Sequence, residues 1–340
     1  MSGSRKTKDF LLKFLMALCS GITCLVLLLI IGYILYRGLP SLSWNLLSTE
    51  PNNLSGNIGV LPNILNTLYI IFVAMIIALP LGVGAAIYLT EYSNNPKLTR
   101  LISFASEILT GIPSILFGLV GMLVFIQILG LRQGILAGAL TLVLMVLPTI
   151  ISNTRESLLT VPQSYREGAL ALGSGKWHMI RTVVLPSALD GIITGCILSI
   201  GRITSESAAL LFTAGFGLKL LGFAQAMQSS SATLTVALYI YASERGEYDV
   251  AFAIAIVLMV LTLALNLIAS HTANRIKQKR GRYERYNYQS PQSGPVVWRP
   301  SGPDGHQHGH PGECDYRFHR TFRLRQIHIP AQHEPHERPD

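Results

Sequence analysis

The sequence predicts an all-α, polytopic membrane protein: a bundle with six transmembrane helices. Composition is the first reason. Half of the 340 residues are apolar and only 13% are charged, a balance typical of membrane proteins rather than soluble domains. The second is length. Six segments, near Phe14–Tyr36, Leu61–Thr90, Leu101–Leu129, Ile135–Ser152, Leu189–Phe212 and Val250–Ser270, can each cross about 30 Å of hydrocarbon. The third is the distribution of Lys and Arg among the loops, which orients the bundle.

Residues 1–13 form a basic cytoplasmic N-terminus carrying Arg5, Lys6, Lys8 and Lys13. The apolar run that follows exceeds a signal-peptide core and no small-x-small cleavage site comes after it, so the first span reads as an anchored helix. The outward loop Arg37–Gly59 holds turn residues and Trp44, a residue that anchors at headgroups. After the second span, Glu91, Lys97 and Arg100 make a short cytoplasmic turn with no further role expected. The third span begins around Glu107 and contains G-I-P-S-I-L-F-G, Gly111–Gly118. Pro113 is predicted to kink it, and its glycines to allow close helix packing. The fifth span leads to an outward segment, Thr213–Tyr248, with Gly215, Gly217, Gly222 and the Ser229–Ser231 run. Its apolar stretch Leu234–Tyr241 is too short to span and predicts a re-entrant or surface helix. The membrane domain is placed at 14–286.

Arg5, Lys6, Lys8, Lys13, Lys97, Arg100, Arg155, Arg166, Lys176, Arg181 and the cluster from Arg275 to Arg285 fall on one side; Arg37, Arg132, Lys219 and Arg245 fall on the other. Both termini and the loop 153–188 are therefore expected in the cytoplasm, with the protein multi-pass in a membrane among its lipids. The net charge of +9 comes from this asymmetry and from the tail, whose basic residues have no fold to present them, so no nucleic-acid partner is expected. Cys19, Cys24, Cys196 and Cys314 lack disulfide or ligand spacing and read as packing residues. No metal site and no catalytic residue is expected.

Two constellations carry chemistry. The stretch from Glu167 to Pro186, EGALALGSGKWHMIRTVVLP, is a polar interruption between spans. It reads as helix, Gly-permitted turn, then helix stopped before Pro. Glu167, Gly168, Ala169, Gly173, Trp177, His178, Leu185 and Pro186 are its candidate docking residues; an ordinary connecting loop is the other reading. The second is Gly201–Leu210, G-R-I-T-S-E-S-A-A-L. A charge inside a membrane helix is costly unless paired or facing water. Arg202 and Glu206 are four apart and are predicted to share a helix face and pair. The guanidinium fork suits phosphate oxygens, and Thr204, Ser205 and Ser207 add hydroxyls. A structural ion pair pinning two helices is the alternative.

From about Tyr288 the chain turns rich in Pro, His, Arg and Gly with no periodicity, which predicts a disordered tail over 287–340. Back-translating His306–Arg338 and reading one base later lets allowed codons spell a string containing G-P-S-G-C-G-K-S-T, a phosphate loop of the form G-x-x-x-x-G-K-[ST]. The tail therefore reads as an out-of-frame passage into an adjacent ATPase gene. It is expected to carry no chemistry, and the chain itself no ATP hydrolysis.

Taken together, Gly111–Gly118, Tyr165–Gly173 (YREGALALG), Val184–Pro186 and Ile200–Gly215 (IGRITSESAALLFTAG) resemble the PstA-type permeases of phosphate-specific ABC importers. The likeness runs over roughly Phe14–Arg285. The loop resembles the EAA coupling loop of importer permeases, with Gly168 in place of the first Ala of the triplet. Ser205 stands where the family pattern has Gly. The resemblance implies a MetI-like permease fold, a PstC-type permease partner, a PstB-type ATPase dimer using ATP and Mg, and a PstS-type phosphate-binding protein. No cofactor would be bound by this chain. ATP binding would pull on the coupling loops and rock the bundle, and phosphate would cross near Arg202. An importer for another oxyanion, sulfate or molybdate, and an uncoupled channel or scaffold are the competing readings.

Overall fold

The computed structural model describes residues 3–51, 58–93 and 95–289, with side chains described between 9 and 275. The chain divides into two units, Met1–Arg285 and Tyr286–Asp340. The first contains the bundle; the readings made for residues 290–340, including the shifted frame and Cys314, lie outside the described residues.

Among the described residues every regular element is helical. Helix α1 (Gly3–Gly38) leads through a 3-10 turn into the short α2 (Trp44–Ser48). Ser43 caps α2, its Oγ accepting from Leu46 N at 3.2 Å, as expected for a residue with a short side-chain oxygen at this position. Helix α3 (Leu61–Ile87) starts with Pro62 in its first turn, where a missing N–H costs nothing, and ends in a π-helical turn, Tyr88–Tyr92. Helix α4 (Pro96–Gly111) is capped by Asn95, and α5 (Ser114–Gly121) continues as a π-helical stretch, Met122–Ile128. Helix α6 (Ile135–Leu159) reaches past the predicted span end at Ser152. The elbow holds α7 (Gln163–Ala171), α8 (Lys176–Met179), a π-helical turn (Ile180–Val184) and α9 (Leu185–Ser187). Then follow α10 (Leu189–Ser205), α11 (Ala208–Thr213), α12 (Phe223–Ala226), α13 (Leu234–Tyr239) and the long α14 (Tyr248–Gln289).

Among the described residues four helices are long and apolar enough to cross a membrane, and the number rises to six if each of two bent pairs is one span. The bends correct the sequence reading. The third span is not one helix: α4 and α5 meet at 105°, because Pro113 forces Ile112 out of the helical region (φ −73°, ψ 132°). The fifth segment, read as continuous over Leu189–Phe212, ends at Ser205, and its bent partner is the elbow helix at 67°. The elbow also does not stop before Pro186. Pro186 lies inside α9, and the preceding π-helical turn takes up the irregularity that a ring without an N–H imposes.

The core lies where α3 and α6 cross. Ile70, Ala74 and Ala78 meet Leu142, Met145, Val146 and Ile150, with Ile203 and Leu210 closing the cluster. In lipid, apolar burial alone gives little drive, so small residues that let backbones approach matter more. Gly191 and Gly195 on α10 supply this. A Cβ at Gly191 would collide with Ser157, and one at Gly195 would sit 3.1 Å from the Asn153 Cβ. Helix α1 is exposed from Asp9 to Tyr33. Its C-terminal end is tied to α14 by the edge-on Tyr33–Phe252 rings (5.5 Å), by Arg37–Asp249 (3.1 Å) and by the close approach of Gly38 to Phe252. The apolar stretch after Thr233 is buried within the protein rather than a surface helix: Leu234, Val236, Ala237 and Tyr241 are all enclosed.

Candidate functional site

Helix α10 stops at Ser205 although residues 202–211 contain neither Gly nor Pro. Glu206 turns extended (φ −80°, ψ 128°) and Ser207 (φ −122°, ψ −45°) leads into α11. In an unbroken helix, Ala209 N–H and Leu210 N–H would bond the carbonyls four residues back. Instead Ala209 N donates to Glu206 Oε1 at 3.1 Å and Leu210 N to the Ser207 carbonyl at 3.1 Å. The Glu206 carbonyl thus freed accepts from Thr235 Oγ1 at 2.6 Å.

The predicted Arg202–Glu206 pair is therefore absent. The backbone leaves the helix between the two residues, and the carboxylate caps the open end of α11. Arg202 is partly buried in the last turn of α10, where the carbonyl-rich end of the helix favours a cation. Its guanidinium has no hydrogen bond or ion pair with any described residue. Of the hydroxyls grouped with it, Thr204 is buried and donates to the Ile200 carbonyl at 2.7 Å. Ser205 is exposed and turns back to the Gly201 carbonyl at 3.0 Å. Ser207 is partly buried, its carbonyl opening α11. Leu198 is 53% exposed, a Cβ at Gly201 would meet nothing within 4 Å, and Ser205 is open. With Arg202 these make one stripe of α10 that the described residues do not cover.

The two sequence motifs of the third and fifth segments meet here. A Cβ at Gly118 would lie 2.7 Å from the Ala209 Cα, and one at Gly121 would collide with Thr141. Their absence lets α5 seat directly against the start of α11 at Gly118 and against α6 at Gly121. Packing is thus the role of Gly118, as the sequence suggested, while Gly111 faces open space.

The elbow is built by a left-handed glycine. Gly173 has φ +80°, and Gly173 N and Ser174 N bond the carbonyls of Leu170 (2.9 Å) and Ala169 (3.1 Å), closing α7. Glu167, Gly168, Trp177 and His178 are exposed, as are Tyr165 and Leu172, the last at 89%. Ala169 and Leu185 pack inward against Met179, Ile180, Val184 and Leu158, and Pro186 is partly buried beside them. The elbow therefore has one face bound to the bundle and one face free.

What holds it was missed from sequence. Arg166 donates through Nε (3.0 Å) and Nη2 (2.9 Å) to Glu91 Oε1, and also to the carbonyls of Leu158 (2.8 Å) and Val161 (2.6 Å). Both side chains are nearly enclosed, at 11% and 6% exposure. Glu91 is thus no idle turn residue: it joins the end of α3 to the start of α7 across 75 positions. No local spacing announces such a pair. Beside it, Lys176 Nζ lies 4.9 Å above the Tyr92 ring, an approach that favours a cation.

A family model, "Binding-protein-dependent transport system inner membrane component", matches residues 78–278, which take in both the helix break and the elbow. The chain belongs to this family. This inner membrane component is 37% identical over 222 residues to "Probable ABC transporter permease protein YqgI" of Bacillus subtilis (strain 168), covering 65% of this chain and 76% of that one. It is also 37% identical over 180 residues to "Phosphate transport system permease protein PstA" of Xylella fastidiosa (strain 9a5c), covering 52% of this chain and 62% of that one, so it spans under two thirds of that relative's length. Among solved structures, a chain of the bacterial alginate ABC transporter, in complex with alginate pentasaccharide-bound periplasmic protein, superposes with a TM-score of 0.61 at 16% identity. That likeness covers 81% of this chain and 98% of the other and concerns the fold. The protein is a multi-pass inner membrane component with the helix bundle of an ABC importer permease.

Proposed function

We propose that the protein is the PstA-type permease subunit of an ATP-driven importer of inorganic phosphate. The observation that carries this reading is the uncovered stripe of α10 around Arg202. A lone guanidinium at this depth cannot face hydrocarbon without a large penalty. It therefore faces a second permease of PstC type across a watered path, where a multivalent oxyanion is its natural partner. Relatives that are phosphate transport permeases support the choice of phosphate. Ser205 and Ser207 border the same path, while the hydroxyl of Thr204 is committed to the helix behind it.

The elbow's free face, with Glu167, Gly168, Leu172, Trp177 and His178, docks a PstB-type ATPase dimer, which binds and hydrolyses ATP with Mg. This chain binds neither. A PstS-type protein delivers phosphate at the opposite side, and both termini and the elbow lie in the cytoplasm.

The test is uptake of labelled phosphate by the chain reconstituted with its second permease, ATPase and binding protein. ATP-dependent accumulation of phosphate, not competed by sulfate or molybdate, is expected. Equal uptake of sulfate or molybdate would assign the path to another oxyanion. Flux without ATP would make the chain a channel.

A further inference from the structure

We propose that Thr235 is a positioning residue that sets anion affinity: by holding the helix break open, it keeps the Glu206 carboxylate from neutralising Arg202. The inference rests on the phosphate reading of Arg202 and adds a residue that the reading does not use.

The break contains no Gly or Pro to account for it: none lies between Arg202 and Leu211. Ala208, Ala209, Leu210 and Leu211 are strong helix formers. Such a run would join α10 to α11 unless something outside it intervenes. The intervening contact is the Thr235 hydroxyl, which takes the Glu206 carbonyl at 2.6 Å and so replaces the Leu210 N–H that a continuous helix would offer. Thr235 is 6% exposed, so water cannot substitute for it, and a carbonyl left without a donor there would be penalised.

Thr235 is itself fixed from α3. A hydroxyl has one hydrogen, and that of Thr235 goes to Glu206, so Thr233, 3.0 Å away, must donate to it. The next residue along, Leu234, donates its N–H to Thr67 Oγ1 at 2.9 Å, and Thr67 donates to the Asn63 carbonyl at 2.7 Å. Asn63 and Asn66 both donate to the Ala232 carbonyl, at 2.9 and 3.1 Å. Side chains of α3 thus grip residues 232–234, and residue 235 grips the break.

The consequence is electrostatic. Were the helix continuous, residues 202 and 206 would stand one turn apart on one face, the spacing at which Arg and Glu pair. A guanidinium already paired in a low-dielectric site attracts an incoming anion less strongly. With the break in place, the carboxylate is held by Ala209 N–H and the cation stays unpaired.

The experiment uses the full transporter complex and reads KM and Vmax for labelled phosphate separately. Thr235→Val keeps the shape and removes the donor; KM is expected to rise about fivefold, the worth of one ordinary hydrogen bond, with Vmax little changed. Thr235→Ser restores the donor and should return KM to that of the unmodified complex. The deciding variant is Thr235→Val combined with Glu206→Gln, in which the rejoined helix brings no charge to Arg202, so KM should fall back. An unchanged KM in Thr235→Val, or a double variant no better than Thr235→Val alone, overturns the proposal. If Thr235→Val does not accumulate in the membrane, Thr235→Ala removes the same bond with less bulk and is read the same way. Normal KM in Arg202→Ala would instead sink the phosphate reading, a separate outcome.

Discussion

Replacing Arg202 by alanine is expected to lower phosphate uptake by about 10- to 100-fold while leaving the thermal stability of the permease unchanged. The uptake loss follows from removing a charged donor that is worth about 1.5–3 kcal/mol to a charged partner. The unchanged stability follows from the fold. The Arg202 guanidinium has no partner among the described residues, so its removal breaks no ion pair or side-chain hydrogen bond there. A guanidinium that pinned two helices would behave the other way, losing stability first. Arg202→Lys should fall between, because an ammonium keeps the charge but not the planar fork. Uptake and melting of the same purified complexes, side by side, separate the two roles.

Arg166→Ala should have the larger structural effect. It strands the Glu91 carboxylate at 6% exposure and leaves the Leu158 and Val161 carbonyls without this donor. Breaking one side of a buried pair costs about 3–5 kcal/mol, whereas replacing both members by apolar residues is often neutral. The double variant Glu91→Leu with Arg166→Met should therefore be more stable than Arg166→Ala alone. The damage should be local. Protease cleavage in the elbow is expected to increase before the α3–α6 core opens, since partial opening is confined to contiguous weak units. If the elbow docks the ATPase, its release from α3 would let ATP hydrolysis continue without uptake. Limited proteolysis together with coupled assays would show this; an Arg166→Ala elbow as resistant as the unmodified one would contradict the pair's role.

Much of this could be read from sequence. The helical class, the apolar segments and the bend at Pro113 follow from run length and from one residue's backbone restriction. The elbow's left-handed turn at Gly173 follows from the one residue that adopts it freely. The break at Glu206 could not be read this way. Its local sequence favours a helix, and the cause sits on Thr235, across the bundle. A spacing of four therefore gave the wrong partner for Arg202, because the rule holds only while the helix continues. The Glu91–Arg166 joint was hidden for a related reason: charges near span ends are ordinary, and only folding shows which are enclosed. Pro186 misled in the opposite direction, since a π-helical turn let the chain stay helical through it.

The most direct measurement is a map of the assembled transporter, arrested with non-hydrolysable ATP in the presence of phosphate. Anion density within about 2.7–2.9 Å of the Arg202 guanidinium, the distance of a charge-assisted bond, is the expected result, with Glu206 still capping Ala209. A guanidinium bonded to a partner carboxylate or turned to lipid, with phosphate elsewhere, would contradict the role given to Arg202.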